Sequence, residues 1–590
     1  MALKVKGKYV VAVGEVRDGM FLGRDLMGRP LKVKVKGAVD FGTVSREDVL
    51  SSISEDLPDL LPLWEIGEEM TLGEASDLLF GKDTAEGRAR IFLSAINTPY
   101  FRVEGESLLP RGEEDVRSIL RMEEAKREEE RIREDLRRVL KGESLPVAEV
   151  LRAIYRGERE DRRLQRLIGE DPDFWRKFLN AGHITPEDVP EGVRSLMVNN
   201  TGTYTGERFE YEDLRHLPAF SIDDAETEDI DDAVSLIPLG NGYEVYIHIA
   251  LPYAVVKRGE EADLMARERG ATLYLPDGKW HMYPREAVRE MSLLEGKDRP
   301  GLTLRVLFDL SGEVRDYSFH LSVIRNRQRL TYKNAGRVLS GSGLWGELMH
   351  VKNVLRERRV KAGGLAYDHP FLKVKYVAGR IEVSLQEPND ATALIGELMI
   401  LYNYLAGKHL AERGLVGVFR IQDDPPPGGV PPPSDPLYFL KLKALGRPVR
   451  TSIKPGPHRG LGVPYYVRAT SPIRRYSDVL NQHQILASLK ILPPLTPEAM
   501  ERDMGVALAG ELKRHKAQNE RRTHILLHYL RSKGEVEGIA SARRKVFLPE
   551  VLMEVQSRSP LKVGTRCRFR VVKVLFGDGT AVVDRDECPG

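Results

Sequence analysis

The sequence predicts an α+β multidomain protein. A large mixed-sheet domain with surrounding helices lies between an N-terminal small-β and helical region and a small C-terminal β-barrel. Three observations carry this. The 590 residues correspond to about four domains at roughly 150 residues each. Hydrophobic residues make up 41% and charged residues 30%, the mixture of a chain that buries a core under a charge-rich surface. The hydrophobic period changes along the chain, from two to three-and-four and back to two.

Taken in order, residues 1–40 alternate (YVVAVGEV, MFLGRD, LKVKVKGAV) with glycines between, which predicts short antiparallel strands in a small β-barrel-like segment. Residues 41–112 are read as helices followed by a ribbon. Ser45-Arg46-Glu47-Asp48 marks a helix start, Thr71 and Thr84 stand where N-caps belong, and TPYFRVEGESLLP forms a two-stranded ribbon. That order fits a winged-helix-like unit or a generic α+β adaptor. Residues 113–204 are a helical connector, opened by a charge-laced helix over 113–141 with Glu and Arg at spacings of three and four. Strand texture resumes near 205, and the large domain spans 205–532. Its proline cluster, DDPPPGGVPPPSDP (423–436), reads as a rigid loop because similar composition continues after it. Residues 533–590 hold five short strands with glycine turns, an OB-type barrel.

Composition narrows the function. Lys+Arg is 90 against Asp+Glu 88, a net charge of +2, which excludes a uniformly basic nucleic-acid architectural protein and leaves room for local basic tracks. Cys567 and Cys588 are the only cysteines, too few for a disulfide framework or a cysteine zinc site, and consistent with a reducing cytoplasm. The N-terminus has no apolar run after its charges, and the most apolar stretch, Val245–Val256, is interrupted by His248 and Pro252. A cytoplasmic protein without membrane association is expected.

The sharpest local feature is Ile222–Ala233. Seven of the ten residues from Asp223 to Asp232 are acidic and none is basic. Carboxylates that converge at a strand end need cations or raised pKa values. Mg²⁺ accepts one or two carboxylates plus phosphate oxygens, and paired metals clamp a phosphodiester. A solvated acidic loop is the alternative. A calcium loop fails on spacing, since Glu228 and Val234 stand where it needs glycine and glutamate. The basic counterpart is Arg468-Ala469-Thr470-Ser471-Pro472-Ile473-Arg474-Arg475-Tyr476-Ser477-Asp478, whose arginines match phosphate oxygens and whose Ser-Pro predicts a helix opening at Ile473. A further basic track covers 508–532, and His524 and His528 stand four apart on it without a third ligand. No GxxxxGK[ST] loop appears, so no NTP-driven motor is expected, and no GxSxG elbow appears.

These two motifs together resemble the ribonuclease II / ribonuclease R family, whose catalytic domain is called RNB. Between them Tyr274-Leu275-Pro276, Leu330-Thr331-Tyr332, Gly364-Leu365-Ala366-Tyr367 and Gly396–Asn403 resemble further family segments in the right order, over roughly 205–530. Two departures stand out: Gln482 and His483 follow the motif aspartate where the family has histidine at the fourth place, and the N-terminal region lacks the aromatic signature of paired cold-shock barrels. The resemblance implies a bacterial-type, processive 3′→5′ exoribonuclease releasing nucleoside 5′-monophosphates from single-stranded RNA in RNA decay and processing. It acts as a monomer, with one or two Mg²⁺ ions or Mn²⁺ as a substitute, and with the C-terminal barrel (ribosomal S-one-like) binding RNA. By resemblance Asp223, Asp229, Asp231 and Asp232 hold the metal. Asp231, Arg474 and Tyr274 are catalytic, and Tyr274, Tyr332, Tyr367, Glu397, Arg468, Arg474, Arg475 and Glu520 contact RNA. A non-catalytic RNA-binding protein on a decayed domain and a metal-dependent DNase are the rivals. The complete aspartate set with Arg474 opposes the first, and Tyr332 and Glu397 oppose the second.

Overall fold

A computed structural model describes residues 2–5, 8–25, 27–35, 38–42, 57–341, 343–366, 370–424, 431 and 434–587. The chain divides into two compact units, Met1–Arg137 and Arg138–Gly590. In the first, strands Ala2–Val5, Lys8–Arg17, Met20–Asp25 and Pro30–Lys34 form an antiparallel meander. Gly14 faces Gly23 across it, and a Cβ on Gly14 would stand 2.3 Å from the Leu22 carbonyl oxygen, so the two strands approach more closely there than a side chain permits. Helix Leu72–Phe80 starts at Thr71, which forms a reciprocal capping box with Glu74, and helix Ala85–Asn97 starts at Thr84, whose side chain accepts from Gly87 N–H. The ribbon Phe101–Glu104 and Ser107–Pro110 joins Met70–Thr71 in a three-stranded sheet. Leu72, Ile91, Phe92, Phe101 and Leu108 form the core of this unit. The helix start expected at Ser45–Asp48 lies outside the described residues.

In the second unit, short helices Pro146–Tyr155, Arg162–Gly169 and Phe174–Asn180 lead to buried Asp188, which takes Arg156 at 2.7 Å and Arg152 at 3.2 Å. The central sheet then closes on itself. Its strands run in the spatial order Asp298–Asp309, Gly242–Ala250, Asp232–Leu239, Ala219–Asp223 and Val314–Thr331, and the first also pairs with the last. Ala219–Asp223 runs parallel to Val314–Thr331 and antiparallel to Asp232–Leu239. The acidic run is thus the connection between two adjacent strands, with its ends fixed by their ladders. Inside the sheet a fully buried line of hydroxyls and imidazole is satisfied internally: Ser235 to His248 at 3.1 Å, His248 to Thr303 at 2.8 Å, and Thr303 to Ser322 at 2.7 Å. Burial pushes the His248 pKa down to about 3, so the imidazole is neutral.

Helices Asp390–Glu412 and Tyr476–Ser488 bury Leu394, Leu398, Val479 and Leu480 in the same core. The long helix Pro497–Lys533 packs against helix Glu261–Arg269 and carries the C-terminal barrel on its last turns. That barrel is closed in the order Glu535–Ala542, Lys545–Leu548, Met553–Ser557, Thr580–Glu587 and Arg566–Leu575, and Leu526, Leu527 and Leu530 of the helix join its core. Cys567 is buried in the barrel. Most of the proline cluster at 423–436 lies outside the described residues. Among the described residues no helix is long and apolar enough to cross a membrane.

Candidate active site

Backbone contacts bring the acidic connection to the arginine loop, across 242 residues of sequence. Asp231 Oδ1 accepts from Ile473 N–H at 2.9 Å, and its Oδ2 accepts from Arg474 Nε at 3.2 Å. Arg474 Nη2 also donates to Ser471 Oγ at 2.8 Å, and the guanidinium stays partly exposed. The loop is held from behind. Thr272 N–H donates to the Arg474 carbonyl at 3.1 Å and Tyr476 N–H to the Gly270 carbonyl at 2.8 Å. The segment Gly270–Thr272 runs on into the strand Leu273–Leu275 that carries Tyr274, so one piece of backbone positions both residues.

Asp229 is occupied differently. Its carboxylate accepts from Tyr274 Oη at 2.8 Å and from Lys279 Nζ at 2.8 Å, both on the hairpin Leu273–Leu275 and Gly278–Trp280. Burial raises its pKa, but Lys279 and Tyr274 outweigh that and hold it below the usual carboxylate range. Asp223 and Asp232 stand at facing strand ends, and one carboxylate oxygen of each, Oδ2, is buried with no hydrogen-bond partner. Burial pushes both pKa values up. The charges of Asp232, Asp231 and Asp229 add to this for Asp223, while Arg474 opposes it for Asp232. Burial also raises Asp231, to about 7, against the pull of Arg474 and Ile473 N–H. Tyr332 follows Thr331, which pairs with Asp223 across the parallel ladder, and burial with the Asp232 and Asp223 charges pushes its hydroxyl pKa up.

The carboxylates divide into two kinds. Asp229 and Asp231 already have cationic partners, whereas Asp223 and Asp232 are half-buried, mutually repelling side chains that each present one buried, orphaned oxygen. Among the described residues no group of three or more acidic, histidine or cysteine side chains stands together as metal ligands. The two orphaned oxygens do fit a hard divalent cation, because Mg²⁺ usually takes one or two carboxylates and completes its shell with water and phosphate oxygens.

Several residues were not visible as part of the site in the sequence. Arg329 Nη2 donates to the carbonyls of Asp224, Ala225 and Thr227, at 3.2, 3.1 and 2.6 Å, and so staples the acidic connection. Lys279 neutralises Asp229. Lys373 and Lys375, on the hairpin Phe371–Val377 and Arg380–Gln386, pair with Glu226 at 3.1 and 2.5 Å. A cavity of about 660 Å³ opens outside the connection, lined among others by Tyr274, Lys279, Lys373, Lys375, Asn519 and Arg522.

Several side chains expected to contact RNA have partners within the protein. Arg475 is bound through Nε and Nη2 to buried Asp478 at 3.0 and 2.7 Å, and Arg468 is shared between Ser477 and Glu511 at 3.0 Å. Both hold the loop instead of facing outward. Glu397 is buried against Arg359, at 3.0 and 2.7 Å, and Arg359 also donates to the Leu365 carbonyl, so this pair fixes the segment before Tyr367. Tyr367 itself lies outside the described residues. Glu520 is exposed and does not line the cavity that Asn519 and Arg522 line; its charge acts on Tyr155. The helix expected from Ile473 begins at Tyr476, because Asp478 accepts from Ser471 N–H at 2.9 Å and keeps residues 472–474 in a turn.

A family model, the RNB domain, matches residues 211–430 and 434–491. Somewhat under half of the chain is thus similar to the RNB domain. It is 26% identical over 566 residues to a Synechocystis sp. protein described as an uncharacterized ribonuclease, covering 84% of this chain and 83% of that one. It spans about half the length of other curated relatives, named ribonuclease R and exoribonuclease 2. Among solved structures it resembles an active-site mutant of the Dss1 exoribonuclease from Candida glabrata, with TM-score 0.59 and 16% identity over 98% of this chain and 96% of that one. It also resembles Mycoplasma genitalium RNase R in complex with ribose-methylated single-stranded RNA, with TM-score 0.56 and 16% identity over 67% and 78% of the two chains. At these identities the structural likeness concerns the fold.

Proposed function

We propose that the chain is a metal-dependent 3′→5′ exoribonuclease that hydrolyses single-stranded RNA processively to nucleoside 5′-monophosphates. The observation that carries this is the buried pair of orphaned carboxylate oxygens on Asp223 and Asp232, set beside Asp231 and a partly exposed Arg474. Relatives named as ribonucleases support the substrate class. Asp223 and Asp232 would hold Mg²⁺, which would supply Lewis-acid stabilisation of a phosphoryl oxygen. The protein's own groups do the rest. Asp231, held by Ile473 N–H and Arg474, orients the attacking water and accepts its proton, since a carboxylate poised near neutrality serves as a general base. Arg474 has donors left beyond Asp231 and Ser471, and these meet the scissile phosphate. Tyr274, 37% exposed with its hydroxyl fixed on Asp229, offers a ring to the terminal base, a sequence-tolerant contact. Tyr332, next in sequence to the Thr331 that pairs with Asp223, contacts the ribose in this reading. Arg475, Arg468 and the Arg359–Glu397 pair position these groups.

The test is a comparison of linear and circular RNA of one sequence with Mg²⁺, with products identified by chromatography. Nucleoside 5′-monophosphates from the linear strand and an intact circle are expected. Cutting of the circle would replace the exonuclease reading by an endonuclease one.

A further inference from the structure

Among the described residues four arginines are buried, and two of them face a carboxylate: Arg521 has Asp277 and Arg359 has Glu397. Arg514 does not. It is 6% exposed, and its Nε and Nη1 are buried without a hydrogen-bond partner. Its charged neighbour is another buried arginine, Arg269, whose Nη1 is spent on two neutral carbonyls, Val198 at 2.7 Å and His281 at 3.2 Å. Both arginines line a cavity of about 570 Å³, with Lys513 beside them, Glu268 as the one acidic side chain, and Leu196 and Met265 as apolar wall. No ion pair joins Glu268 to these cations among the described residues. The cations are forced together by a backbone crossing. A Cβ on Gly270 would stand 1.9 Å from the Ala507 carbonyl oxygen, and one on Gly510 2.2 Å from that of Glu268, so the end of helix Glu261–Arg269 lies directly on the long helix.

A guanidinium cannot shed its charge as a buried carboxylate can, so two of them in one cavity without a counter-charge call for an anion. We infer that Arg514, Arg269 and Lys513 build a second phosphate-binding site, separate from the carboxylate centre, with room for a nucleotide. Guanidinium donors match phosphate oxygens in geometry. The occupant is a phosphate group, carried either by a free nucleoside 5′-monophosphate or by an RNA backbone. It would brace the strand that follows Arg269, which holds the Arg474 loop through Gly270 and Thr272.

The full chain is titrated with inorganic phosphate, with adenosine 5′-monophosphate, and with a single-stranded oligoribonucleotide in EDTA, for wild type, Arg514→Met, Arg514→Lys and Lys513→Ala. Arg514→Met is expected to lose at least tenfold in affinity for phosphate, Arg514→Lys to stay within about threefold, and Lys513→Ala to lose severalfold. A further loss for the monophosphate alone identifies a free nucleotide. A loss for the oligonucleotide, with the log–log salt slope flattened by about 0.7, identifies the backbone. Wild-type affinity of Arg514→Met for all three ligands would overturn the site. Should Arg514→Met fail to fold, unchanged affinities in Lys513→Ala, a surface position, would do the same.

Discussion

Removal of the Arg474 charge should change the pH dependence of hydrolysis as well as its rate. Arg474 Nε lies 3.2 Å from Asp231 Oδ2. At an effective dielectric near 20 such a pair interacts by about 5 kcal/mol. The arginine side chain is 39% exposed, and screening reduces this to about 1.5–3 kcal/mol, or one to two pK units. Burial already raises Asp231 to about 7 against the pull of Arg474. In Arg474→Met the pull is gone and the pKa climbs further. Asp231 must be ionised to accept a proton, so raising its pKa withdraws the active form at low pH and returns it at high pH. The acid limb of the rate profile should therefore move up by about one to two pH units. Beneath that shift, the lost stabilisation of the phosphate should lower the plateau by roughly 10²–10³-fold. Arg474→Lys keeps the charge and should keep the limb near its wild-type position while losing the fork. Single-turnover rates on end-labelled RNA between pH 5.5 and 9.5, at saturating Mg²⁺, read both effects. An equal fold-loss at pH 6 and pH 9 in Arg474→Met would refute the coupling of Arg474 to Asp231.

Lys279→Met leaves Asp229 buried with only the Tyr274 hydroxyl, and should cost about 2–4 kcal/mol at neutral pH. Because the folded pKa of Asp229 is depressed in the wild type, its contribution exists above the unfolded pKa and is lost as pH falls, so urea unfolding should show the gap closing below about pH 4. Arg521→Met strands Asp277 at the turn of the Tyr274 hairpin and frees the Pro186 carbonyl, and should destabilise by about 3–5 kcal/mol, seen as a lowered thermal midpoint. Arg566→Ala with Arg568→Ala, both exposed on the barrel beside a cavity of about 650 Å³, should flatten the salt slope of single-stranded RNA binding by about 0.7 for each phosphate these arginines neutralise, read in affinity titrations across salt.

What the sequence revealed was local. Thr71 with Glu74 and Thr84 marked helix starts because a cap needs only its own first turn. The five-stranded barrel was visible in its glycine-punctuated strands, and the acidic run stood out because like charges cluster there against their own repulsion. What stayed hidden depends on distant partners. Lys279 is an ordinary strand lysine until the hairpin meets Asp229, and Arg329 looks like surface charge until the parallel ladder sets it under residues 224–227. Arg475 and Arg468 resembled phosphate ligands by type, but Asp478 and Glu511 claim them. Glu520 shows the limit of composition. Arg514, Ala517, Arg521, His524 and His528 follow the buried stripe of the long helix, and Gln518, Asn519 and Arg522 face the cavity. One position from Asn519 is a turn of about 100°, enough to carry Glu520 out of it.

The central claim is that the orphaned oxygens of Asp223 and Asp232 hold the cation on which RNA hydrolysis depends. The most direct test is a time course on 5′-labelled single-stranded RNA by wild type and Asp232→Asn, each with Mg²⁺ and with EDTA, with binding of the same RNA measured alongside. Wild type with Mg²⁺ should carry the label straight to a residue of a few nucleotides. EDTA and Asp232→Asn should each abolish shortening while RNA affinity stays within about tenfold. Shortening at a near-normal rate in EDTA, or by Asp232→Asn, would contradict the account.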